Sequence, residues 1–294
     1  MHGFCESPVA ALNNSLPADL AEQVARALRE DVGSGDVTAS LIAADAQAQA
    51  HVLCREPAVL CGASWVDETF RQLDTSIQIR WHFDDGASVA ADAILCELAG
   101  PARALLTGER TALNFLQLLS GTATVTQRYV RAISGTSCRI LDTRKTIPGL
   151  RSAQKYAVRC GGGSNHRLGL YDLVLIKENH IAAAGSLTAA VAAARRAAPQ
   201  LRVEVEAEDL EQVRQGLAAH ADIIMLDNFQ LETMRAAVAM NRAHARPARL
   251  ESSGGVTLET LRAIAETGVD YISVGALTKH LAAIDLSMRF EARQ

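Results

Sequence analysis

Leu201-Arg202-Val203-Glu204-Val205-Glu206, then Leu210, Val213 and Leu217 at helical spacing, then Asp222-Ile223-Ile224-Met225-Leu226-Asp227: this stretch decides the fold. Two short apolar runs flank one amphipathic stripe, the pattern of a strand, a helix and a second strand. The unit recurs outward in both directions. Upstream lie Arg139 to Leu141 and Leu173 to Ile176, downstream Ala248 to Glu251 and Tyr271 to Val274, and the starts recur every 21 to 34 residues. That is the length of a strand, loop, helix and return loop. Leu258, Leu261 and Ile264 repeat the stripe before the last run. Six runs are fewer than the eight of a closed (β/α) barrel, so the spacing predicts an incomplete α/β barrel of about six or seven strands.

The residues before this series read differently. Pro17 to Glu30 forms an amphipathic pattern with Leu20, Val24, Ala27 and Leu28 on one side, followed by a loop from Asp31 to Asp36. Alternating segments come next, Ala50 to Cys54, Ile77 to Phe83 and Ala93 to Leu98, with turns such as Asp84-Asp85-Gly86. An N-terminal α+β, sandwich-like domain over residues 1–115 is expected, with the barrel over 116–280. Leu105 to Ile133 reads as a long helical stretch, interrupted near Ser120-Gly121, that joins them.

Composition narrows the class. The chain has 294 residues, 49% hydrophobic and 21% charged, with a formal net charge of −4 and 4% aromatics. This is the profile of a soluble globular protein, and a modest negative charge with few aromatics argues against a nucleic-acid partner. No apolar run nears the roughly 18 residues that cross a bilayer. Met1 to Leu16 has no basic region followed by an apolar one, so no secretory signal and a cytoplasmic location are expected. Cys5, Cys54, Cys61, Cys96, Cys138 and Cys160 are scattered, without a Cys-x-x-Cys pair, and read as buried or idle thiols of a reducing compartment.

Against this acidic background, residues 142–180 carry seven basic groups and three acidic ones, which asks for an anionic ligand. Arg144, Lys145 and Arg167 stand beside turn-forming residues, Pro148-Gly149 and Gly161 to Asn165, where a backbone can approach a small molecule. The glycines match neither a P-loop nor a dinucleotide fingerprint, and supply positive φ angles instead. In βα folds the working face is the set of loops after the strands. Thr143, Arg144 and Lys145 follow the first run, Lys177 the second, Glu206 the third, Asp227 the fourth, Ser253, Gly254 and Gly255 the fifth, and Gly275 the sixth.

Arg144 and Arg167 offer planar forks for carboxylate or phosphate, Lys145 and Lys177 compact charges. Arg151, Lys155 and Arg159, spaced as one helix face, read as a solvated surface. His166 can hydrogen-bond a carboxylate as imidazolium or donate from its neutral form. Glu204 and Glu206 share one strand face; Glu206 with Asp227 suits Mg²⁺ or ribose hydroxyls, while Glu204 is expected to pair with an interior Lys or Arg. Ser253 to Gly255 leads into a helix start and Val274-Gly275-Ala276 precedes another, which suits phosphate binding.

These residues resemble the quinolinate phosphoribosyltransferase family. The likeness runs over nearly the whole chain: Glu30 to Thr38, Gly108 to Asn114, Ser120 to Thr124, Asp142 to Thr146 with Pro148 to Leu150, Gly161 to Arg167, Lys177 to His180, Val205-Glu206, Leu226 to Asn228 and Ser253 to Gly255. The resemblance implies coupling of quinolinate to phosphoribosyl pyrophosphate (PRPP), with Mg²⁺, release of pyrophosphate and CO₂, and formation of nicotinate mononucleotide for NAD biosynthesis. It implies that Arg144, His166, Arg167 and Lys177 hold the pyridine carboxylates and that Lys145 reaches PRPP. Glu206 and Asp227 would face ribose and a Mg²⁺ carried largely by PRPP. Ser253, Gly254 and Gly255 with Val274, Gly275 and Ala276 would cradle the 5′-phosphate. It further implies a homodimer with shared active sites, or a higher assembly of such dimers, in which Arg110 enters the neighbouring subunit's site, and a last segment, residues 281–294, that returns to the N-terminal domain.

Three other readings stay open on the sequence alone: a related phosphoribosyltransferase acting on another acid, a Schiff-base lyase using Lys177, and a non-catalytic phosphate-binding protein.

Overall fold

The computed structural model describes residues 15–291; Cys5, the residues before 15 and residues 292–294 lie outside the described residues. The described residues divide into two compact units, one made of 15–127, 146–162 and 276–291, the other of 128–145 and 163–275.

In chain order the first unit opens with α1 (Leu20–Val32), β1 (Gln47–Cys54), β2 (Ala58–Val59), α2 (Ala63–Leu73), β3 (Gln78–Trp81), β4 (Ser88–Val89) and β5 (Ala93–Pro101). Helix α3 (Ala102–Ala132) follows and runs through the boundary into the second unit. Strands β1 and β5 pair antiparallel, β3 joins β5, and β1 alternates between core and surface along its inner half. Val52, Leu95, Leu98, Phe70, Leu105, Leu113 and Leu116 form one core.

Helix α3 is continuous where the sequence suggested an interruption at Ser120-Gly121. Both residues serve close packing rather than a break. Ser120 Oγ accepts from Cys61 N–H at 2.9 Å and donates to Cys61 C=O at 3.0 Å. A Cβ at Gly121 would sit 2.2 Å from the Ala282 carbonyl, so only glycine allows that approach.

The second unit begins with β6 (Arg139–Leu141); α4 (Arg151–Cys160) then belongs to the first unit. The barrel-like series continues through β7 (Val174–Ile176), α5 (Glu178–Ala184), α6 (Leu187–Ala197), β8 (Val203–Ala207), α7 (Leu210–Ala218), β9 (Ile223–Asp227), α8 (Leu231–Ala243), β10 (Arg249–Ser253), α9 (Leu258–Ala265) and β11 (Tyr271–Ser273). The last elements, α10 (Ala276–Lys279) and β12 (Leu286–Phe290), lie in the first unit, and β12 pairs antiparallel with β1.

All six expected strands form one parallel sheet in the order β6-β11-β10-β9-β8-β7. A seventh survives only as a single parallel bridge between Leu141 and Ser164. Val203, Val205, Ile224, Leu226, Leu250 and Ile272 are essentially inaccessible, as strands of a parallel sheet covered on both faces require. Val213, Leu217, Leu261 and Ile264 are the buried stripes of α7 and α9. Asp209 and Ser186 fix helix starts by accepting from Gln212 N–H at 2.8 Å and Ala189 N–H at 3.1 Å.

Helix α4 departs from the solvated face expected of Arg151, Lys155 and Arg159. Lys155 is fully buried, Arg159 stacks 5.5 Å from the Tyr156 ring centroid, and Arg151 Nε donates to Thr146 Oγ1 at 3.1 Å. The spacing was helical, but three basic residues at intervals of four leave the choice between water and interior to packing. No helix among the described residues is long and apolar enough to cross a membrane.

Candidate active site

Parallel register brings the strand ends to one edge of the second unit. Ile176 pairs with Val205, Ala207 with Leu226, Asp227 with Ser253, and Ser273 with Leu141. Lys177, Asp227, Ser253, Val274 and Asp142 therefore sit at that edge, and Glu206 one residue behind it.

Asp142, fully buried, organises the loop that follows the glycines. Its Oδ1 accepts the His166 N–H at 2.9 Å and its Oδ2 accepts from Asn165 Nδ2 at 2.6 Å. Main-chain bonds from Asp142 N to Ser164 O and from Ser164 N to Ile140 O add a third anchor. Of the three glycines before it, only Gly162 takes a positive φ, 87°; Gly161 is excluded from growing by the Ala123 carbonyl, 2.4 Å from where its Cβ would lie.

His166 turns inward. Its Nδ1 accepts the Arg167 N–H at 2.8 Å, and its Nε2 lies 3.0 Å from Glu204 Oε2 and 3.5 Å from Glu251 Oε2. An accepting Nδ1 leaves the ring proton on Nε2, the nitrogen that lies against the two acids. Glu204 was expected to meet an interior Lys or Arg; its partner is His166 instead. Both acids are inaccessible to solvent. Burial first, then the charge of Glu204, push the Glu251 carboxyl up to about 8, with His166 pulling the other way. Glu251 thus keeps its proton at neutral pH, because two carboxylates in one dry site cannot both ionise against one imidazole.

Around this core stand the cations. Arg144 and Arg167 are both half-buried. Burial first, and then the positive charge of Arg144, lower the pKa of the Arg167 guanidinium. Two half-buried guanidiniums whose charges act on each other favour an anion beside them. Lys177 caps α5 and its Nζ pairs with Glu206 Oε2. Lys145 is exposed, its backbone N–H bonded to Thr143 Oγ1 at 3.1 Å, and its side chain crosses Gly275: a Cβ there would stand 3.0 Å from Lys145 Cδ.

The glycine turn is equally constrained. Gly254 has φ +93°, and a Cβ on it would meet Asn228 Oδ1 at 2.1 Å. Asn228 itself adopts φ 55°, donates its N–H to Ser253 C=O at 2.9 Å and its Nδ2 to Asp227 Oδ2 at 2.8 Å. Helix α9 starts beyond this turn and is capped by its own Thr257, and Gly254 and Gly255 are exposed. Arg110 is exposed on α3 in the first unit, and Ala276 opens α10.

Two structural actors carry no role in the sequence reading, Glu251 and Asp142. The signal for Glu251 was its alternation in Leu250-Glu251-Ser252, the same pattern that singled out Glu204. Asp142 stood only at the head of the segment Asp142 to Thr146, without a partner to name.

The chain as a whole has counterparts among known proteins. The family "Quinolinate phosphoribosyl transferase, C-terminal domain" matches residues 122–289, and its N-terminal counterpart matches residues 36–120. The chain is 45% identical to a probable nicotinate-nucleotide pyrophosphorylase [carboxylating] of Bacillus subtilis, over 88% of this chain and 89% of that one. It is 38% identical to the human nicotinate-nucleotide pyrophosphorylase [carboxylating], over 95% and 94%. A solved nicotinate-nucleotide pyrophosphorylase from Francisella tularensis superposes with a TM-score of 0.91 at 49% identity, covering 95% of this chain and 98% of that one.

Proposed function

The chain belongs to the quinolinate phosphoribosyltransferase family, and from that premise we propose how its own residues carry the reaction. The enzyme transfers the phosphoribosyl group of PRPP to quinolinate, releasing pyrophosphate and CO₂ and leaving nicotinate mononucleotide.

The pyridine nitrogen attacks the anomeric carbon as pyrophosphate departs, so the protein must hold two polyanions in line and stabilise a cationic ribose. In our reading Arg144 and Arg167 grip the two carboxylates. Their mutual repulsion favours an anion beside them. Lys177 completes the cup, and its pairing with Glu206 holds both at the mouth. His166 orients Arg167 through the bond from the Arg167 N–H to Nδ1, and the acids behind it fix the ring.

Lys145, laid over Gly275, meets the phosphoribosyl donor, with Thr143 bracing its main chain. Ser253, Gly254, Gly255, Val274, Gly275 and Ala276 form the reading's 5′-phosphate cradle. Glu206 and Asp227 lie towards the ribose, where carboxylates stabilise positive charge developing at the anomeric carbon. Hard carboxylate oxygens also suit Mg²⁺, and Lys177 already occupies Glu206, so Glu206 and Asp227 would share an ion held mostly by PRPP. Such an ion would screen the charge that leaves with pyrophosphate. Once the ring nitrogen is alkylated, its positive charge stabilises the carbanion left at C2 as CO₂ departs, and a proton from water then forms the C2–H bond.

The reading extends to a cytoplasmic homodimer in which exposed Arg110 serves the site of a second copy. The observation that carries it is the half-buried Arg167, whose guanidinium feels the charge of Arg144, on a loop that Asp142 anchors through Asn165 and His166. Purified protein given quinolinate, PRPP and Mg²⁺ should yield CO₂ and mononucleotide in equal amounts. Pyrophosphate release with a monoacid but none with pyridine-2,3-dicarboxylate would overturn it.

A further inference from the structure

In the first unit, folding joins two cysteines and an acid, none of them assigned to the reaction, whose spacing in the sequence gives no hint of contact. Cys61, between β2 and α2, Asp85, in the turn before β4, and Cys160, the last residue of α4, each present a donor atom within 4.8 Å of the other two. We propose that these three residues form a binding site for a thiophilic divalent cation of the Zn²⁺ class.

The chemistry of the donors points that way. Two sulfurs and one carboxylate oxygen select borderline-soft metals over Mg²⁺ or Ca²⁺, and three protein ligands with an open fourth position are an established zinc arrangement. Asp85 is already oriented. Its Oδ1 accepts from the Gly62 and Ala63 N–H groups at 3.0 and 3.1 Å, and its Oδ2 accepts from Tyr156 Oη at 2.8 Å. A carboxylate offers about four lone-pair positions; these bonds take three, leaving one on Oδ2. Fixed hydrogen bonds behind a ligand hold it in place for an ion.

Cys61 is buried completely and Cys160 in part. Binding replaces the two thiol protons: one M²⁺ is taken up, two H⁺ leave, and two metal–sulfur bonds form with no change of oxidation state. Two thiolates, one carboxylate and the metal sum to one negative charge. Arg159, whose positive charge acts on Cys61, lies nearby to balance it.

The site would clip together the β2–α2 connection, the 84–86 turn and the C-terminus of α4. Gly86 already packs against Cys160, its Cβ position 3.3 Å from the Cys160 carbonyl.

The test uses the full chain, fully reduced and stripped with a chelator, titrated with Co²⁺ and then Zn²⁺. One Co²⁺ per chain should bind with sulfur-to-cobalt charge-transfer absorption, and Zn²⁺ should displace it and raise Tm. Cys160→Ser should weaken Co²⁺ binding at least tenfold and abolish the Zn²⁺ effect on Tm, while turnover with quinolinate and PRPP persists. X-ray absorption of the wild-type zinc complex, independent of any variant, should show two sulfur neighbours. Co²⁺ uptake without the charge-transfer band, a band of wild-type strength and affinity in a folded Cys160→Ser chain, or a zinc shell of nitrogen and oxygen alone would each overturn the proposal.

Discussion

His166 Nε2 stands 3.0 Å from Glu204 Oε2, so the imidazole between the glycine loop and Arg167 is tied to a carboxylate that no water reaches. Behind it, Glu251 shares the same nitrogen at 3.5 Å. The strand-end edge of the second unit thus has behind it a buried arrangement of one imidazole and two acids, of which Glu251 retains its proton.

That arrangement sets a pH dependence. Glu251 ionises near its ordinary 4.5 in the unfolded chain and at about 8 in the fold. Between those values the folded state binds the extra proton, so stability from this group is full below the lower value and falls as pH climbs through the upper one. Glu251→Gln cannot titrate. Its Tm should fall less than that of the wild type between pH about 5 and about 8.5, as differential scanning calorimetry would read; parallel curves would count against a buried, protonated Glu251.

Lys145 is exposed and its side chain lies over Gly275, so removing it should not disturb the core. Lys145→Ala should keep the wild-type Tm and quinolinate affinity but lose on the order of a hundredfold or more in kcat, the scale of losing one charge-stabilising donor. Steady-state kinetics with calorimetric quinolinate binding would check this. Turnover within a factor of about two of the wild type would remove Lys145 from the site.

Gly254 and Gly255 separate strain from clash. Gly254→Ala meets Asn228 Oδ1 at 2.1 Å with φ +93°, whereas Gly255→Ala at φ +58° meets nothing within 4 Å. The first should cost about 1–3 kcal/mol of stability and raise the KM for PRPP, the second about 1 kcal/mol. Urea unfolding and PRPP titration of both variants give the comparison, and equal costs would contradict the tight Asn228 packing.

Arg110 is exposed on α3. If it serves a second copy, inactive Arg110→Ala and Lys145→Ala chains, mixed and allowed to exchange, should recover about a quarter of wild-type activity, since half of random dimers carry one intact site of two. No recovery after verified exchange would sink the shared-site reading.

Much of the second unit was legible because its signals are local. Val203, Val205, Ile224 and Leu226 are runs whose burial on both faces needs only a parallel sheet, and Leu210, Val213 and Leu217 face it by period alone. Strand ends followed by Arg144, Lys177, Asp227 and Ser253 pointed to one edge for the same reason. Helix α3 was harder: Ser120-Gly121 has the composition of a break, and only the Ala282 carbonyl against Gly121 explains why glycine is needed inside a helix.

By itself, the sequence determined the βα order, the antiparallel domain before it, the excess of cations over residues 142–180 and the family to which they belong. Only the tertiary structure decided that Glu204 meets His166 rather than an arginine, that Lys155 is interior, and that Cys61 lies beside Cys160. Period and composition are properties of neighbours along the chain. A charge partner, a buried lysine or a pair of thiols depends on which distant segments exclude water together, and that is fixed only when the whole chain packs.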